Sequence, residues 1–396
     1  MTKPALSPWP SFTVDEAKAV EQVLLSNRVN YWTGDECRQF EREFADWCGA
    51  RHAVSLANGT LALEAALGAI GISAGDEVIV TPRSFIASAS CVVSAGGTPV
   101  FADVDVDSGN ISAKTIARVI TPRTKAIVCV HLAGWPCDMD PIMALARDHQ
   151  LKVIEDCAQA NGARYRGRSV GTIGHIGAWS FCQDKIMTTG GEGGMVTTND
   201  EQLWQAMWSL KDHGKSWQAV HRQDHPPGFK WLHESFGSNW RMLEMQAVIG
   251  RLQLRRLADW TNVRARHCLS IWEACRRHGG VRVPDFYPDE KAGEMTHAGY
   301  KCYVYVRPER LREGWSRDRL VEEINSRGIP CFQGSCSEIY LEKAFDNVPW
   351  SPKHRLQNAK ALGETSLMFL VHPTLTPAEI QRTCDVIDQV FGLGLS

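Results

Sequence analysis

The chain has 396 residues, 44% hydrophobic and 22% charged, which is long enough for two domains and too apolar for extended disorder. Lys plus Arg (43) nearly balances Asp plus Glu (45), and the net charge of −2 gives no electrostatic reason to expect nucleic acid or an anionic membrane as partner. No apolar run is long enough for a membrane span, and MTKPALSPWPSFTVDEAKAV lacks the apolar core of a signal peptide, so a cytoplasmic protein is expected.

Thr13 and Glu16 have capping-box spacing and predict a helix running to about Ser26. The run Gly59 to Ile70 puts Leu63, Leu67 and Ile70 on one face, as in a helix packed on a sheet. Short β-branched runs follow at Glu77–Thr81, Pro99–Ala102, Ala126–Val130 and Lys152–Glu155, with helical stretches near 85–95, 112–119 and 139–149 between them. That alternation predicts an α/β fold whose mostly parallel sheet is covered by helices on both faces.

Over 177–198 the pattern changes to two strands, GAWSF and GMVTT, flanking the Gly-rich turn GGEGG. A polar loop rich in His and Trp occupies 213–238 and contains the breaker Pro226-Pro227-Gly228. Arg241 to Arg277 reads as one long helix or two joined ones. Beyond it lie a strand over Tyr300–Val306, a helix over Trp315–Ser326 and an extended piece over Thr365–Val371. Thr376, Pro377 and Glu379 cap a last helix that Gly392 is expected to end. The 13 cysteines are odd in number and include no CxxC, so buried free thiols are expected rather than disulfides or a zinc ribbon.

Four features bear on chemistry. Asp156 ends the strand KVIED, where open α/β sheets place ligand contacts, although an acid capping the next turn is the plainer reading. Lys185 lies between a buried strand and four glycines, where backbone approaches a ligand closely; taken alone it is as well explained as a surface lysine. Asn58-Gly59-Thr60 opens a helix whose free N–H groups suit an anion, or simply an N-cap. Ser180 adds a hydroxyl near Lys185. A phosphate cradle, a lysine amine and a strand-end carboxylate together suit pyridoxal 5′-phosphate (PLP), whose aldehyde joins the lysine and whose ring nitrogen pairs with the acid. Phe85 is placed to cover one face of the ring.

Five blocks in order carry a resemblance: NYWTGDECRQFEREFADWCGARHAVSLANGTLALEAAL, GDEVIVTPRSFIASASCVVSAGGTPVFADVD, VIEDCAQANGARYRG, SFCQDKIMTTGGEGGMVTTND and SNWRMLEMQAVIGRLQL. The chain resembles a nucleotide-sugar aminotransferase of the DegT/StrS type, in the fold-type I PLP superfamily. The resemblance implies a large PLP-binding domain over 1–250, with an N-terminal helical segment, and a smaller α/β domain over 251–396. It makes Lys185 the Schiff-base lysine and Asp156 the partner of the pyridine nitrogen. Gln159 is implied at the ring, Phe85 as the stacking residue, and Gly59, Thr60 and Ser180 at the phosphate. Asn239 is implied to reach the phosphate across a homodimer interface, so that two subunits share their sites.

The substrates implied are L-glutamate and a UDP- or dTDP-linked 4-keto-6-deoxyhexose, for surface polysaccharide or glycoside biosynthesis, with a 3-keto sugar as the alternative. Sugar contacts are expected from Asn30–Trp32, from 213–238 and from the stretch near Gln333–Tyr340. Departures from the family pattern are Asn58 where Ser is usual, a long Lys185–Asn239 interval, and CFQGSCSEIYLEKAF in the small domain. Members with His in place of the lysine dehydrate their sugar, and Lys185 argues against that outcome. Rival readings are a desulfurase or lyase on the same fold, for which Cys157 and Cys182 are the cysteines nearest the site in sequence, and a non-catalytic sensor. Metal binding through His221 and His225 has no partner pair in the sequence, and a solvated loop explains the two better.

Overall fold

The structure, a computed structural model, describes residues 6–222, 228–285 and 295–396. Helices α1 (Val14–Leu25) and α2 (Glu36–Cys48) come first. Thr13 and Glu16 form the expected capping box, each side chain accepting from the other's backbone N–H. Next come β1 (His52–Leu56), α3 (Gly59–Ala69), β2 (Glu77–Val80), α4 (Ala87–Ser94) and β3 (Thr98–Phe101). The helix expected over 112–119 is one turn, α5 (Ala113–Ile116), because the chain bends between Thr121 and Thr124 to enter β4 (Thr124–Val130). Helix α6 (Met139–Asp148) and β5 (Lys152–Asp156) follow. A hairpin of β6 (Arg164–Tyr165) and β7 (Arg168–Ser169) then precedes β8 (Ile176–Ser180) and β9 (Gly194–Thr198).

Seven of these strands form one sheet in the order β1-β9-β8-β5-β4-β2-β3. All neighbours from β3 through β8 are parallel, and β9 runs against both β8 and β1. Every residue of β2, β8 and β9 is buried, which is why none of them shows the in-out alternation of a half-exposed strand. The parallel register brings the carboxyl ends of β2, β4, β5 and β8 to one edge.

The described parts of 213–238, residues 213–222 and 228–238, hold regular structure where a polar loop is expected. After α7 (Glu201–Lys211) comes the short helix α8 (Trp217–His221), and the Ser216 and His213 N–H groups donate to the Leu232 and Ser238 carbonyls. His221 stacks on Trp217 at 3.8 Å and bonds the Trp217 carbonyl, whereas His225, with Pro226 and Pro227, lies outside the described residues. The long helical run divides into α9 (Glu244–Leu254) and α10 (Leu257–Arg276).

A second sheet is built from β10 (Val281–Arg282), β11 (Cys302–Val306), β12 (Cys331–Phe332) and β13 (Ser366–Phe369), in the antiparallel order β10-β11-β13-β12. Helices α10, α11 (Arg317–Ser326) and α13 (Pro377–Gly394) enclose its core around Ile271, Val304, Leu320, Phe369 and Ile387, while α12 (Gln357–Thr365) leads into β13. Tyr300 and Lys301 precede β11 rather than belonging to it. Gly392 does not end the last helix. That helix continues to Gly394, where a Cβ would lie 2.5 Å from the Trp315 ring, so close packing explains the second glycine. A division at 250/251 would cut α9, and we propose the joint at Arg255–Arg256 as the domain boundary instead. All 13 cysteines are free thiols, and apart from Cys182 and Cys336 they are buried.

Gly177, inside β8, has no room for a side chain: a Cβ would lie 2.4 Å from the Gly171 carbonyl oxygen and 2.5 Å from Thr197 Oγ1. Gly177→Ala is expected to cost about 1–3 kcal/mol, read as a lower thermal unfolding midpoint; an unchanged midpoint would contradict this packing.

Candidate active site

Where the parallel strands end, a cavity of about 660 Å³ opens. Its wall includes seven of the eight residues singled out in the sequence: Gly59, Thr60, Phe85, Asp156, Gln159, Ser180 and Lys185. Asn239, the eighth, is exposed, forms a backbone bridge with Asp212 and does not line this cavity.

The floor comes from β5 and β8. Asp156, the last residue of β5, is 5% exposed and accepts hydrogen bonds from the Ser88 hydroxyl (3.0 Å) and the Ala158 N–H (3.1 Å). Burial pushes its carboxyl above the usual range, and those two bonds with the Lys185 amine only partly oppose the effect. A carboxylate so placed is short of a cation.

The next residue back, Glu155, is fully buried and differently treated. Burial disfavours its charge, yet His131 and the N–H groups of Gly174 and Gly171 hold it below the usual carboxylate range. His131 Nδ1 accepts from the Cys137 N–H at 3.0 Å, so its proton lies on Nε2 and is donated to Glu155, also at 3.0 Å. Cys157 lies beside the pair, but the imidazole nitrogens and the carboxylate oxygens are already engaged, so this trio is a hydrogen-bonded support beneath Asp156.

Opposite Asp156, the first turn of α3 meets the end of β8. Asn58 caps the helix by accepting from the Leu61 N–H at 2.9 Å, which leaves the N–H groups of Gly59 and Thr60 to face the cavity corner. A Cβ on Gly59 would sit 2.5 Å from Ser180 Cβ, so only glycine lets the helix terminus and the Ser180 hydroxyl share one corner. The Ser180 oxygen accepts from the Cys182 N–H (3.4 Å), and its own proton remains to donate.

Lys185 enters from the segment between β8 and β9, with 17% of its side chain exposed. Its Nζ lies 3.4 Å from the Tyr300 hydroxyl and 3.7 Å from Asp184 Oδ1. Tyr300 donates to Asp184 in a short hydrogen bond. Burial and then the Asp184 charge push the Tyr300 phenol up, so it stays protonated, while Lys185 and Tyr300 outweigh partial desolvation and hold the Asp184 carboxyl below its usual range. Gln159 Oε1 accepts from the Ala133 N–H (2.8 Å), which leaves its amide nitrogen as the donor on the cavity wall. Phe85 is 70% exposed at the rim, an apolar ring with nothing yet stacked on it among the described residues.

Ser88, Asp184, Tyr300 and Ser335 also line the cavity and carry no sequence signal of their own. Tyr300 lies 115 positions beyond Lys185, and only the fold brings the two together. Cys182 lies in the segment after β8, not in a strand, and is among the residues lining the cavity; Cys157 is fully buried.

An anion corner, an amine, a buried acid short of a cation and an open aromatic ring suit a phosphorylated, cationic aromatic ring. Fold and cavity thus define a PLP-dependent enzyme of the aminotransferase class. The chain belongs to the DegT/DnrJ/EryC1/StrS aminotransferase family, matched over residues 10–388. It is 42% identical over 382 residues to the GDP-perosamine synthase of Escherichia coli O157:H7, covering 96% of this chain and 97% of that protein. It is 46% identical over 365 residues to the UDP-N-acetyl-3-dehydro-alpha-D-glucosamine 3-aminotransferase of Acidithiobacillus ferrooxidans, covering 91% and 89%. Among solved structures, the aminotransferase from Psychrobacter cryohalolentis superposes with a TM-score of 0.97 at 64% identity, covering 98% and 99% of the two chains. The rival desulfurase, lyase and sensor readings give way to this family. Among the described residues, no helix is long and apolar enough to cross a membrane.

The raised carboxyl of Asp156 gives a linked prediction. Its ionised form is disfavoured by the fold, so the cost is present above the folded-state titration point and vanishes as pH falls below the ordinary carboxylate range. Asp156→Asn apoenzyme should therefore unfold at a higher temperature than wild-type apoenzyme at neutral pH, with the gap closing in acid. The same variant should bind PLP more weakly by about 3 kcal/mol, roughly two orders of magnitude in Kd, because one partner of a buried pair is lost. Equal affinity for the two proteins would refute the pairing.

Proposed function

We propose that the protein transfers an amino group from L-glutamate to a keto carbon of a nucleotide-linked hexose. The observation carrying this reading is the placing of the Lys185 amine and the buried Asp156 carboxylate on one cavity wall with the Gly59–Ser180 corner. In this reading PLP, when bound, supplies an aldehyde carbon for the lysine and a ring that accepts electrons.

Gly59, Thr60 and Ser180 hold the phosphate, by helix-terminal N–H groups and a hydroxyl. Asp156 keeps the ring nitrogen protonated, Gln159 donates at the ring's polar edge, and Phe85 covers one face and excludes water from it. With PLP bound, the Lys185 amine would be the general base and acid that holds and moves the proton at the donor's α-carbon. The acceptor sugar is taken through the same proton movement in reverse. The neighbouring subunit of a homodimer brings Asn239 to the phosphate, which accounts for its exposure on its own chain.

A 4-keto-6-deoxyhexose is the acceptor we favour. Amination at C3 is the second reading, and the 46% identity to an enzyme named for a 3-dehydro sugar speaks for it. The UDP or dTDP expected from the sequence widens to include GDP, given the 42% identity to a GDP-perosamine synthase. Of the three segments expected to meet the sugar, 333–340 reaches the cavity through Ser335, and the Ser84 N–H bonds the Cys336 carbonyl beside it. Surface polysaccharide or glycoside synthesis, in the cytoplasm, is the setting this substrate class implies.

Lys185→Ala should lose both the near-visible absorbance of the lysine-bound cofactor and all turnover; a fully active variant would end the proposal. Wild-type enzyme given glutamate and a panel of 3-keto and 4-keto sugars linked to GDP, UDP or dTDP should aminate one class, read by product mass and by NMR of the aminated carbon. Amination of none would refute the substrate class.

A further inference from the structure

Lys185 is gripped at two points. Its amine faces Tyr300 and Asp184 as described above, and its main-chain carbonyl accepts a hydrogen bond from Trp9 Nε1 at 2.9 Å. The second grip comes from a segment 176 residues away in sequence.

Trp9 belongs to a short stretch that is fastened elsewhere. Leu6 packs against the core of the second sheet. The Ser7 backbone N–H and hydroxyl donate to Glu379, at 2.6 and 3.0 Å, in the first turn of α13. The Pro8 carbonyl accepts from the Thr374 hydroxyl at 2.7 Å. Burial opposes the Glu379 charge, but the Thr376 and Ser7 donors hold its carboxyl down to about 2, so the latch stays ionised across the neutral range. The Trp9 indole meets Trp260 edge-on at 5.2 Å, lies near-parallel to His372 at 6.0 Å and sits under the Arg264 guanidinium at 4.9 Å. Trp260 and Arg264 are on α10, and His372 follows β13. Among the described residues, each of these fastenings is to the smaller domain except the one to the carbonyl of the lysine. A part-buried indole N–H needs an acceptor, and the one that it finds is the main chain of Lys185.

We propose that residues 6–9 form a strap tying the smaller domain to the catalytic lysine, with Trp9 as a positioning residue that sets where the Lys185 amine stands. This rests on the role assigned to Lys185 above. The strap fixes the Lys185 main chain while Tyr300 and Asp184 receive the amine, so the side chain spans two anchored ends and swings little. Loss of the indole N–H frees the first end without touching the amine's partners.

Trp9→Phe keeps the ring in its seat and removes only the donor. Expected are a single-turnover rate with glutamate lower by about tenfold, KM values within about twofold, and a severalfold change in acylation of Lys185 by acetic anhydride in the apoenzyme, read by mass spectrometry against the other lysines. Glu379→Gln, which loosens the far end of the strap, should move the same two readouts in the same direction by less. Wild-type-like rate and labelling in Trp9→Phe would overturn the proposal, as would a loss confined to KM or a slower rate with unchanged labelling. The labelling needs no cofactor or substrate, so it judges the strap separately; were Lys185→Ala active, the assigned role of the lysine would fall instead. Should Trp9→Phe not fold, the Glu379→Gln readouts decide alone: a shift in both supports the strap, and no shift overturns it.

Discussion

A carboxylate closed off from water, with no salt-bridge partner among the described residues, is the constraint around which this molecule is organised. Asp156 sits 5% exposed at the end of β5, its charge disfavoured by burial and only partly offset by one hydroxyl, one N–H and the lysine amine. Leaving such a group in place weakens the apoprotein, and the fold keeps it there through dedicated support. Directly beneath it, the fully buried Glu155 is satisfied by His131 and three backbone N–H groups. Two adjacent acids on one strand thus have opposite situations. Glu155 has donors on both oxygens, whereas Asp156 lacks a close cation, and in the proposed function a protonated ring nitrogen is that cation.

The rest of the site follows from where the chain can bring complementary groups to that acid. Parallel strands deliver Asp156 and Ser180 to one edge, and the absence of a side chain at Gly59 lets a helix terminus close against Ser180. The lysine arrives from the segment before the antiparallel strand β9. Its amine and its carbonyl are met by residues from opposite ends of the sequence, Tyr300 and Trp9. In the proposed roles, the second domain thus meets the lysine amine through Tyr300.

Much of this was legible in the residue pattern, for identifiable physical reasons. Parallel strands buried on both faces leave continuous apolar runs, and a capping box such as Thr13–Glu16 is a local interaction three residues long. Asp156, Lys185, Gly59 and Ser180 could be found because strand ends, glycine clusters and helix starts mark them. What escaped was non-local or context-bound. Tyr300 and Ser88 are ordinary residues until the fold carries them to Lys185 and Asp156. The short α5, the helix running on past Gly392 and the ordered hydrogen bonds within 213–238 were set by turns and packing that no residue window contains. Asn239 depends on a second subunit in the proposed arrangement, and one chain's sequence carries that only through family likeness.

The pairing of Asp156 with the ring nitrogen is the claim everything else leans on, and nitrogen-15 NMR of the enzyme loaded with ring-labelled PLP reads it directly. The chemical shift of a protonated pyridine nitrogen is expected throughout the neutral range, long after the free cofactor in the same buffer has lost that proton. A shift typical of the unprotonated ring at neutral pH would contradict it.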